Sequence, residues 1–464
     1  MRVSVALFTS DLRLHDNPVL RAAVREADAV VPLFVRDSGI EATGFVVPNR
    51  MAFLADCLAD LDTGLRRRGG RLIVRSGEVV EQVCALVTQC EAGAVHVAAG
   101  VSLYAQRRER RLREALEAIG CRLTVHDAVI TVVAPGQLTP QGNDHFAVFT
   151  PFFRRWSAEP LREPQAPPRE VRVPERIPSE RLPERDRIPG VAPGLAPGGE
   201  GAGRERFTAW LRSGLADYDE WQGDLGADAT SRLSPYLHFG ALSPVEVVHR
   251  ARSRDPDSVD FVRQMAWRDF HYQLLAARPR ASFENYRERG DRWRDERIAR
   301  EDIEAWREGR TGYPVVDAAM RQMRHEGWMH NRARLLVASF LTKTLYVDWR
   351  IGARFFLRHL VDGDIPNNQM NWQWVAGTGV DTRFNRVLNP VAQGRRYDPD
   401  GEYVRRWVPA LEHLTGSAVH EPWKLPEDER AKLRYPDPLI PLSRGLERFK
   451  EARELGYDDD GGGR

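Results

Sequence analysis

The chain has 464 residues, of which 42% are hydrophobic and 29% charged, and its 68 basic side chains nearly balance 66 acidic ones. That length is sufficient for two or three domains with large buried cores. The charge balance excludes a globally basic coat for nucleic acid and leaves room only for a local basic face. The longest apolar runs are too short for a membrane span, so we predict none.

The four cysteines indicate neither a disulfide framework nor a metal centre. They are Cys57, Cys84, Cys90 and Cys121, and no two of them form a C-x-x-C pair. This spacing argues against a zinc ribbon and a thioredoxin motif, and we predict no metal site. Free cysteines of this kind are typical of a reducing compartment, so we expect a cytoplasmic protein.

Residues 1–130 alternate short β-branched runs with longer amphipathic stretches. The predicted strands are Val3–Phe8, Ala29–Phe34, Arg71–Val74, Ala94–Ala98 and Arg122–His126, and the clearest predicted helices are Arg50–Arg68 and Val79–Cys90. Alternation of this kind predicts an α/β domain with a doubly wound, Rossmann-like parallel sheet. No G-x-G-x-x-G motif follows the first strand, so nothing indicates a bound dinucleotide.

The chain changes character twice after residue 130. Residues 131–202 form a predicted linker, and ten prolines fall within its 160–200 stretch. Proline fixes φ and removes a backbone donor, so this stretch is either a loose tether or an ordered irregular belt. From residue 203 to 464 the apolar spacing is helical, which predicts a large all-α domain.

Four segments of the helical half carry side chains suited to a polar ligand. Residues 362–374 combine two carboxylates with several amides and two indoles, and residues 230–235 cluster hydroxyls before a helix start. Gln264, Trp267 and Arg268 share one helix face. Residues 328–335 place arginines beside an aromatic, as in proteins that bind a phosphate backbone and a stacked base. Taken singly, each segment is equally compatible with a hydrogen-bonded loop or a solvated face.

Taken together, the segments TSRLSPYLHFG, WRDF, GYPVVDAAMRQ, GWMHNRARL, DGDIPNNQMNWQWVAGTG and RVLNPVAQG resemble the photolyase/cryptochrome flavoproteins. The N-terminal segment DLRLHDNPVL fits the same family, closest to the class I cyclobutane pyrimidine dimer photolyases. The resemblance extends from about residue 5 to about residue 450. It implies an N-terminal antenna domain and a helical domain that binds FAD and DNA.

The resemblance also implies which residues bind FAD. Arg334 would pair with Asp362 near the isoalloxazine ring, and Asn368 would face its N5 atom. The full predicted set is Tyr218, Thr230, Ser231, Arg232, Leu233, Ser234, Gln264, Arg268, Asn331, Arg334, Asp362, Gly363, Asp364 and Asn368.

The reaction that the family implies is light-driven repair, in which FADH⁻ passes an electron to a cyclobutane pyrimidine dimer flipped out of DNA. The predicted catalytic residues are Gln264, Trp267, Asn331, Asn368 and Trp374, and the predicted DNA contacts are Trp267, Arg332, Leu335 and Trp374. Trp372 and Trp349 would relay electrons to the flavin. Trp293 is the candidate for the outer relay residue, and Trp306 is expected to be structural.

Gln264 departs from the family pattern, because dimer-repairing enzymes usually carry glutamate there. Relatives that repair (6-4) photoproducts and some blue-light receptors carry glutamine, so both remain alternatives. Trp267 and Asn368 favour dimer repair over the receptor, and a lone His330 does not supply the histidine pair of the (6-4) enzymes. We expect a monomer that binds UV-damaged DNA, with no protein partner and no membrane contact.

A second chromophore is expected in the N-terminal domain. Phe34 and Arg50 stand at positions that the family associates with an 8-hydroxy-5-deazaflavin antenna. The acidic residue associated with a methenyltetrahydrofolate antenna is not evident around Ala99–Tyr104. The resemblance therefore favours the deazaflavin over the folate, and a site without any antenna is the remaining alternative.

Overall fold

In the computed structural model, five parallel strands form the N-terminal sheet in the order β3-β2-β1-β4-β5. They are β1 (Val3–Phe8), β2 (Ala29–Asp37), β3 (Ile73–Gly77), β4 (Ala94–Ala98) and β5 (Arg122–His126). The register pairs Val5 with Val31 on one side and with Val95 on the other. The predicted α/β sheet is confirmed, with three of its five strands at the predicted bounds. The structure describes residues 1–459, and side chains through residue 453.

Helices cover both faces of this sheet, as the double winding requires. They are α1 (Pro18–Glu26), α2 (Ser38–Glu41), α3 (Pro48–Arg66), α4 (Val79–Cys90) and α5 (Leu103–Ala118). Leu20 of α1 and Leu58 of α3 belong to the apolar cluster on one face. Val83 of α4 and Leu112 of α5 belong to the cluster on the other face. Strand ends are therefore the open positions at which a ligand can enter.

The segment 131–202 is ordered and mostly irregular. It contains helix α6 (Phe149–Ala158) and the short 3₁₀ turn Arg185–Arg187, and α7 (Glu200–Ser213) begins just before its predicted end. Trp156 of α6 is fully buried, and its indole Nε1 donates to Asp269 Oδ2 at 2.9 Å. The proline-rich stretch is thus an irregular belt that packs on the domains it connects, while the predicted boundaries at 130 and 202 stay predictions.

Helices make up most of the C-terminal half, in agreement with the predicted all-α domain. They are α8 (Tyr218–Trp221), α9 (Ser234–His238), α10 (Pro244–Arg254), α11 (Val259–Ala277), α12 (Arg300–Glu308), α13 (Pro314–Glu326), α14 (Asn331–Ser339), α15 (Trp349–His359), α16 (Ile365–Ala376), α17 (Pro390–Tyr397), α18 (Glu402–Trp407), α19 (Glu427–Arg430) and α20 (Leu442–Asp459). A π-helical turn, Phe340–Thr344, extends α14, and 3₁₀ turns lie at Pro279–Ser282, Pro409–Leu411, Gly416–His420 and Pro422–Lys424. Residues 460–464 of the predicted domain lie outside the described residues.

The two domains meet at the carboxyl end of β1. The Leu12 backbone N–H donates to Phe239 O at 3.1 Å, and the buried Arg13 side chain donates to Gly240 O at 3.0 Å. Gly240 has φ +64, and a Cβ there would come within 1.9 Å of Ser10 O. Only glycine permits this close approach. The sheet edge and the helical domain therefore share one continuous apolar core.

Candidate functional site

A cavity of about 420 Å³ lies within the helical domain, between α11, α14 and α16. Most of the residues that the sequence predicts for the site line it. They are Tyr218, Ser231, Leu233, Ser234, Gln264, Trp267, Arg268, Asn331, Arg334, Leu335, Asp362, Asp364, Asn368, Trp372 and Trp374. Helical periodicity explains the convergence of the residues on α11, α14 and α16, because each helix turns residues three or four apart toward the same space. The loops before α9 and α16 supply Ser231, Leu233, Asp362 and Asp364.

An ion pair between Arg334 and Asp362 forms one wall of the cavity. Arg334 Nη2 lies 2.8 Å from Asp362 Oδ2, and the Asp362 side chain is only 3% exposed. Arg334 Nε also donates to Met329 O at 2.8 Å. A buried charge of either sign needs such a partner, so the two side chains hold each other in place and leave the wall close to neutral.

A chain of hydrogen-bonded polar side chains starts at Asp364, the N-cap of α16. Its Oδ1 accepts the Asn367 backbone N–H at 2.9 Å, and its Oδ2 accepts the Tyr272 hydroxyl at 2.5 Å. Arg268 in turn donates to the Tyr272 oxygen at 2.9 Å. The sequence analysis missed Tyr272, although it stands four residues after Arg268 on the same helix, and that spacing could have indicated it.

Two neutral side chains complete the polar lining around Asp364. Burial lowers the pKa of His271 to about 4, so its ring is neutral at pH 7 and its Nδ1 donates to Asn367 Oδ1 at 2.9 Å. The Asn368 amide donates to Ala353 O at 3.2 Å. His271 is the one histidine among the described residues that line the cavity. The lining therefore offers amide and imidazole dipoles beside its paired charges.

Aromatic rings form the walls toward α6. Trp267 stacks on Phe149 with a centroid separation of 3.6 Å and an interplanar angle of 6°. Trp374 lines the same cavity and, like Trp267, is half-buried. Phe149 holds the Trp267 ring from behind, which leaves a rigid flat face for a planar ligand. The sequence analysis missed Phe149 because it lies in the predicted linker.

The predicted relay tryptophans occupy different depths. Trp372 lines the cavity and packs edge-on against Phe356 at 4.9 Å. A Cβ at Gly352 would come within 2.1 Å of the Trp372 ring, so glycine is required there. Trp349 begins α15, the helix that contains Gly352. It is fully buried, and its Nε1 donates to Asn285 Oδ1 at 2.9 Å.

Trp293 and Trp306 differ in their surroundings. Trp293 is half-buried and packs on Tyr346 at 4.9 Å. Trp306 is fully buried, its indole donates to Val337 O at 3.1 Å, and its ring lies 6.2 Å from Trp372. These contacts agree with a core role for Trp306.

Several predicted site residues lie outside the cavity lining. Arg232 forms ion pairs with Asp228 and Glu326 and stacks over Trp328. Arg332 stacks over Tyr397, with its Cζ 4.5 Å from the ring centroid. The predicted residues that do not line the cavity are Thr230, Arg232, Arg332, Gly363, Trp293 and Trp349.

The residues present fit a large cofactor that combines a planar ring with phosphates. The hydroxyl of Thr230, beside the lining residue Ser231, is buried without a hydrogen-bond partner. A buried hydroxyl without a partner can donate a hydrogen bond to a ligand acceptor such as a phosphate oxygen. Paired charges and amides elsewhere suit the polar edge of a heteroaromatic ring, while Met265 and Phe356 supply apolar walls.

A second cavity of about 180 Å³ opens at the carboxyl ends of β1 and β2. Phe34 and Arg50 both line it, together with Asp37 and Arg108, which the sequence analysis missed. Arg50 Nη1 donates to Leu360 O at 2.8 Å, and burial lowers the pKa of Arg50 to about 9. The Nε of Arg108 is buried without a partner.

The linings of the two cavities contact each other at His238. His238 lines the smaller cavity, and its Nδ1 lies 4.0 Å from Asp364 Oδ2 in the lining of the larger one. Burial lowers the pKa of His238 to about 4, so this boundary is neutral at pH 7.

Comparison with known proteins defines the class to which this fold and site belong. Residues 4–170 match the family described as DNA photolyase, and residues 261–454 match the FAD binding domain of DNA photolyase. The chain belongs to the DNA photolyase family, and its cofactor is FAD.

Individual relatives match over nearly their whole lengths. A deoxyribodipyrimidine photo-lyase of Streptomyces griseus is 62% identical over 98% of this chain and 100% of its own. A class III photolyase of Agrobacterium tumefaciens superposes with a TM-score of 0.89 at 32% identity, covering 98% of both chains. A photolyase of Sulfolobus tokodaii, solved with two FAD molecules, gives a TM-score of 0.83 at 30% identity over 98% of this chain and 100% of its own.

No helix among residues 1–459 is long and apolar enough to cross a membrane.

Proposed function

We propose that this protein is a deoxyribodipyrimidine photo-lyase, a carbon–carbon lyase that uses light to split cyclobutane pyrimidine dimers in DNA. The observation that carries the proposal is that Trp267 and Trp374 line the same cavity as Asn368 and the Arg334–Asp362 pair. A lesion packed against the indoles would thus lie within the cavity that holds the cofactor. The 62% identical relative bears the same activity in its name.

When bound, FAD supplies a light-excited one-electron donor. The residues of the chain bind and orient the cofactor and the lesion. The Arg334–Asp362 pair keeps the ring environment close to neutral, and Asn368 presents an amide rather than an ionisable group beside it. Thr230, Ser231 and Ser234 supply hydroxyls for the phosphates. The apolar side chains around them exclude water, which strengthens these interactions.

The lesion side depends on stacking. A damaged pyrimidine pair is already poorly stacked in the duplex, so flipping it out costs less than flipping an intact base. Trp267, held flat by Phe149, offers one stacking face, and Trp374 offers a second. Gln264 lies beside them, and its amide can both donate to and accept from the base edges. Asn331 and Leu335 line the same end, with Arg332 next to them for a phosphate.

Trp372, Trp349 and Trp293 are proposed to relay electrons from the surface and reduce oxidised FAD under light. Their burial supports the order, because Trp372 lines the cavity, Trp349 is fully buried and Trp293 is partly exposed.

The smaller cavity is proposed to hold the antenna, with 8-hydroxy-5-deazaflavin favoured. Arg50 and Arg108 outnumber Asp37 among the charged side chains that line this cavity, so its lining carries a net positive charge. An anionic ring system suits that charge better than the cationic ring of methenyltetrahydrofolate. The Sulfolobus tokodaii structure holds two FAD molecules, so a second FAD is a further candidate. We also propose that the protein acts as a cytoplasmic monomer.

A repair assay tests the proposed reaction. The FAD-loaded, reduced protein is incubated with an oligonucleotide that carries one defined cyclobutane dimer, in the dark and under near-UV light. We expect loss of the lesion only under light. Repair of a (6-4) lesion instead would reassign the substrate, and repair of neither would favour a light receptor.

A single variant tests the relay separately. We expect Trp372→Phe to abolish photoreduction of bound FAD, whereas the chemically reduced variant still repairs the dimer. Trp423→Phe is the matched control, because Trp423 packs on Tyr313 rather than lining the cavity. Normal photoreduction in Trp372→Phe would contradict the proposed relay.

A further inference from the structure

Tyr346 links the outer relay tryptophan to a buried carboxylate. Its ring centroid lies 4.9 Å from that of Trp293 at an interplanar angle of 38°. Its hydroxyl donates to Asp291 Oδ1 at 3.1 Å, and the residue is only 1% exposed. Ring contact on one side and a hydrogen bond on the other place Tyr346 between an electron acceptor and a proton acceptor.

Tyr346 is also held in an unusual backbone conformation. It has φ +54, in the left-handed region that large side chains rarely adopt. The residue lies between the π-helical turn 340–344 and the start of α15 at Trp349. Conformations of this kind persist where the surroundings fix them, and they cluster at functional sites. The backbone therefore fixes the phenol in a short segment that ends at a relay tryptophan.

Asp291 has the properties of a proton acceptor. Its side chain is 1% exposed, and Arg453 Nη1 lies 3.3 Å from its Oδ1. Its second oxygen, Oδ2, is buried without a partner. Burial raises the pKa of Asp291 despite the neighbouring arginine. A carboxylate with a free oxygen in a dry position takes up a proton more readily than one in water.

We propose that Tyr346 is a terminal electron donor of the relay, which rests on the relay proposed above. In this step the oxidised Trp293, a radical cation, takes one electron from Tyr346. The phenolic proton passes along the existing hydrogen bond to Asp291. The products are neutral Trp293, a neutral tyrosyl radical and a protonated Asp291 carboxyl group, so charge and electrons balance.

The arrangement has a clear physical benefit. A phenol that loses an electron while keeping its proton is a very strong acid, and forming this species costs free energy. Transfer of the proton to the carboxylate 3.1 Å away avoids that cost. The radical then lies on a buried side chain rather than on the half-buried Trp293. Return of the electron would need the proton to return as well, which makes the charge separation longer-lived.

The chain contains a matched control. Tyr435 donates its hydroxyl to Asp317 Oδ2 at 2.5 Å, so it too is a tyrosine bound to a buried carboxylate. Unlike Tyr346, it has no stacking contact with a proposed relay tryptophan among the described ring pairs. Tyr435→Phe therefore removes the same chemical group without touching the proposed path.

Electron paramagnetic resonance of the illuminated protein tests the proposal. Protein loaded with oxidised FAD and ring-deuterated tyrosine is illuminated and frozen. We expect a tyrosyl signal that narrows with the label, disappears in Tyr346→Phe and persists in Tyr435→Phe. Asp291→Asn should leave the radical on tryptophan. A tryptophanyl signal alone in the unmodified protein, or a tyrosyl signal that survives Tyr346→Phe, would overturn the proposal.

A dark experiment separates this step from the flavin-driven relay. Azide radicals, generated by pulse radiolysis, oxidise tryptophans in the same protein without light. We expect the tryptophanyl absorption to decay as a tyrosyl absorption rises, and this coupled phase should be lost in both Trp293→Phe and Tyr346→Phe. If illumination yields no protein radical, the relay itself fails, and the dark experiment still decides on Tyr346. Absence of the coupled phase would reject the step.

Discussion

The cavity within the helical domain and the smaller cavity at the carboxyl ends of β1 and β2 differ in how their charged residues are paired. In the larger one, Arg334 and Asp362 neutralise each other, and Asp364 is engaged by Tyr272 and the α16 N-terminus. In the smaller one, Arg50 donates to backbone carbonyls and Arg108 Nε has no partner. Yet the linings meet, because His238 Nδ1 of the smaller cavity lies 4.0 Å from Asp364 Oδ2 of the larger one.

This difference fits the proposed division between FAD in the larger cavity and an antenna in the smaller one. A ring that gains and loses electrons is served by fixed, mutually compensating charges, because these need little rearrangement when the ring changes its charge. A chromophore that only absorbs light needs tight binding, and the free Nε–H donor of Arg108 can contribute a charge-assisted hydrogen bond to an anion. The arrangement of charge therefore supports the proposal of FAD in the larger cavity and an antenna in the smaller one.

The largest expected effect comes from breaking the compensated pair in the larger cavity. Arg334→Met would leave Asp362 buried and unpaired, which typically destabilises a protein by about 3–5 kcal/mol. We expect a lower free energy of unfolding in urea and loss of the flavin absorption after purification.

The control for this variant is Arg297→Met. Arg297 pairs with Asp295 at the surface, where its side chain is 93% exposed, and exposed pairs contribute about 0–1 kcal/mol. Equal effects of the two substitutions would show that the Arg334–Asp362 pair is not a structural requirement of the cavity.

The next largest effect is expected from the aromatic wall of the same cavity. Trp267→Ala removes one face against which a flipped base can stack, and such contacts are worth about 1–3 kcal/mol per base. We expect the Kd for dimer-containing DNA to rise about tenfold to a hundredfold in fluorescence anisotropy, with little change for undamaged DNA. Phe149→Ala should give a smaller loss, since it only supports the ring. A uniform loss for both DNAs would place Trp267 outside the lesion site.

In the smaller cavity, Arg108→Leu should prevent antenna binding while FAD content stays unchanged. A hydrogen bond to a charged group contributes about 1.5–3 kcal/mol, so the affinity for added 8-hydroxy-5-deazaflavin should fall at least tenfold. Absorption spectroscopy after gel filtration measures both pigments in one sample.

Arg111→Leu is the matched control for Arg108, because Arg111 lies on the same helix and pairs with Glu78 at the surface. Undiminished binding in Arg108→Leu would locate the antenna elsewhere or show that its recognition does not depend on charge.

The sequence predicted most of the fold and the helical cavity for identifiable reasons. Strand and helix periodicity is a local property, and strands such as Ala94–Ala98 therefore appear at the predicted bounds. The motif residues on α11, α14 and α16 converge because each of these helices turns them toward the same space, whereas Ser231 and Asp362 reach the cavity from the loops before α9 and α16.

What could not be predicted depends on contacts between distant segments. Phe149 and Trp267 are more than a hundred residues apart in the sequence, so no local pattern predicts that their rings stack. The same holds for Tyr346, whose role depends on Trp293 and Asp291 from another loop. Arg108 resembles any other arginine of a charged helix in the sequence, and only the fold shows that it lines a cavity.

The smallest expected effect concerns Gln264, which lines the larger cavity and stands where the family resemblance implies glutamate. Gln264→Glu would replace a neutral acceptor by a charged one, and a charge-assisted bond is about twice as strong as a neutral one. A gain of about 1 kcal/mol corresponds to roughly fivefold tighter lesion binding. We therefore expect faster repair at limiting DNA, measured by lesion loss under light, whereas Gln264→Met should repair more slowly than the unmodified protein. If Gln264→Glu repairs the dimer more slowly as well, the glutamine suits a lesion other than the cyclobutane dimer, and the (6-4) arm of the repair assay then identifies it.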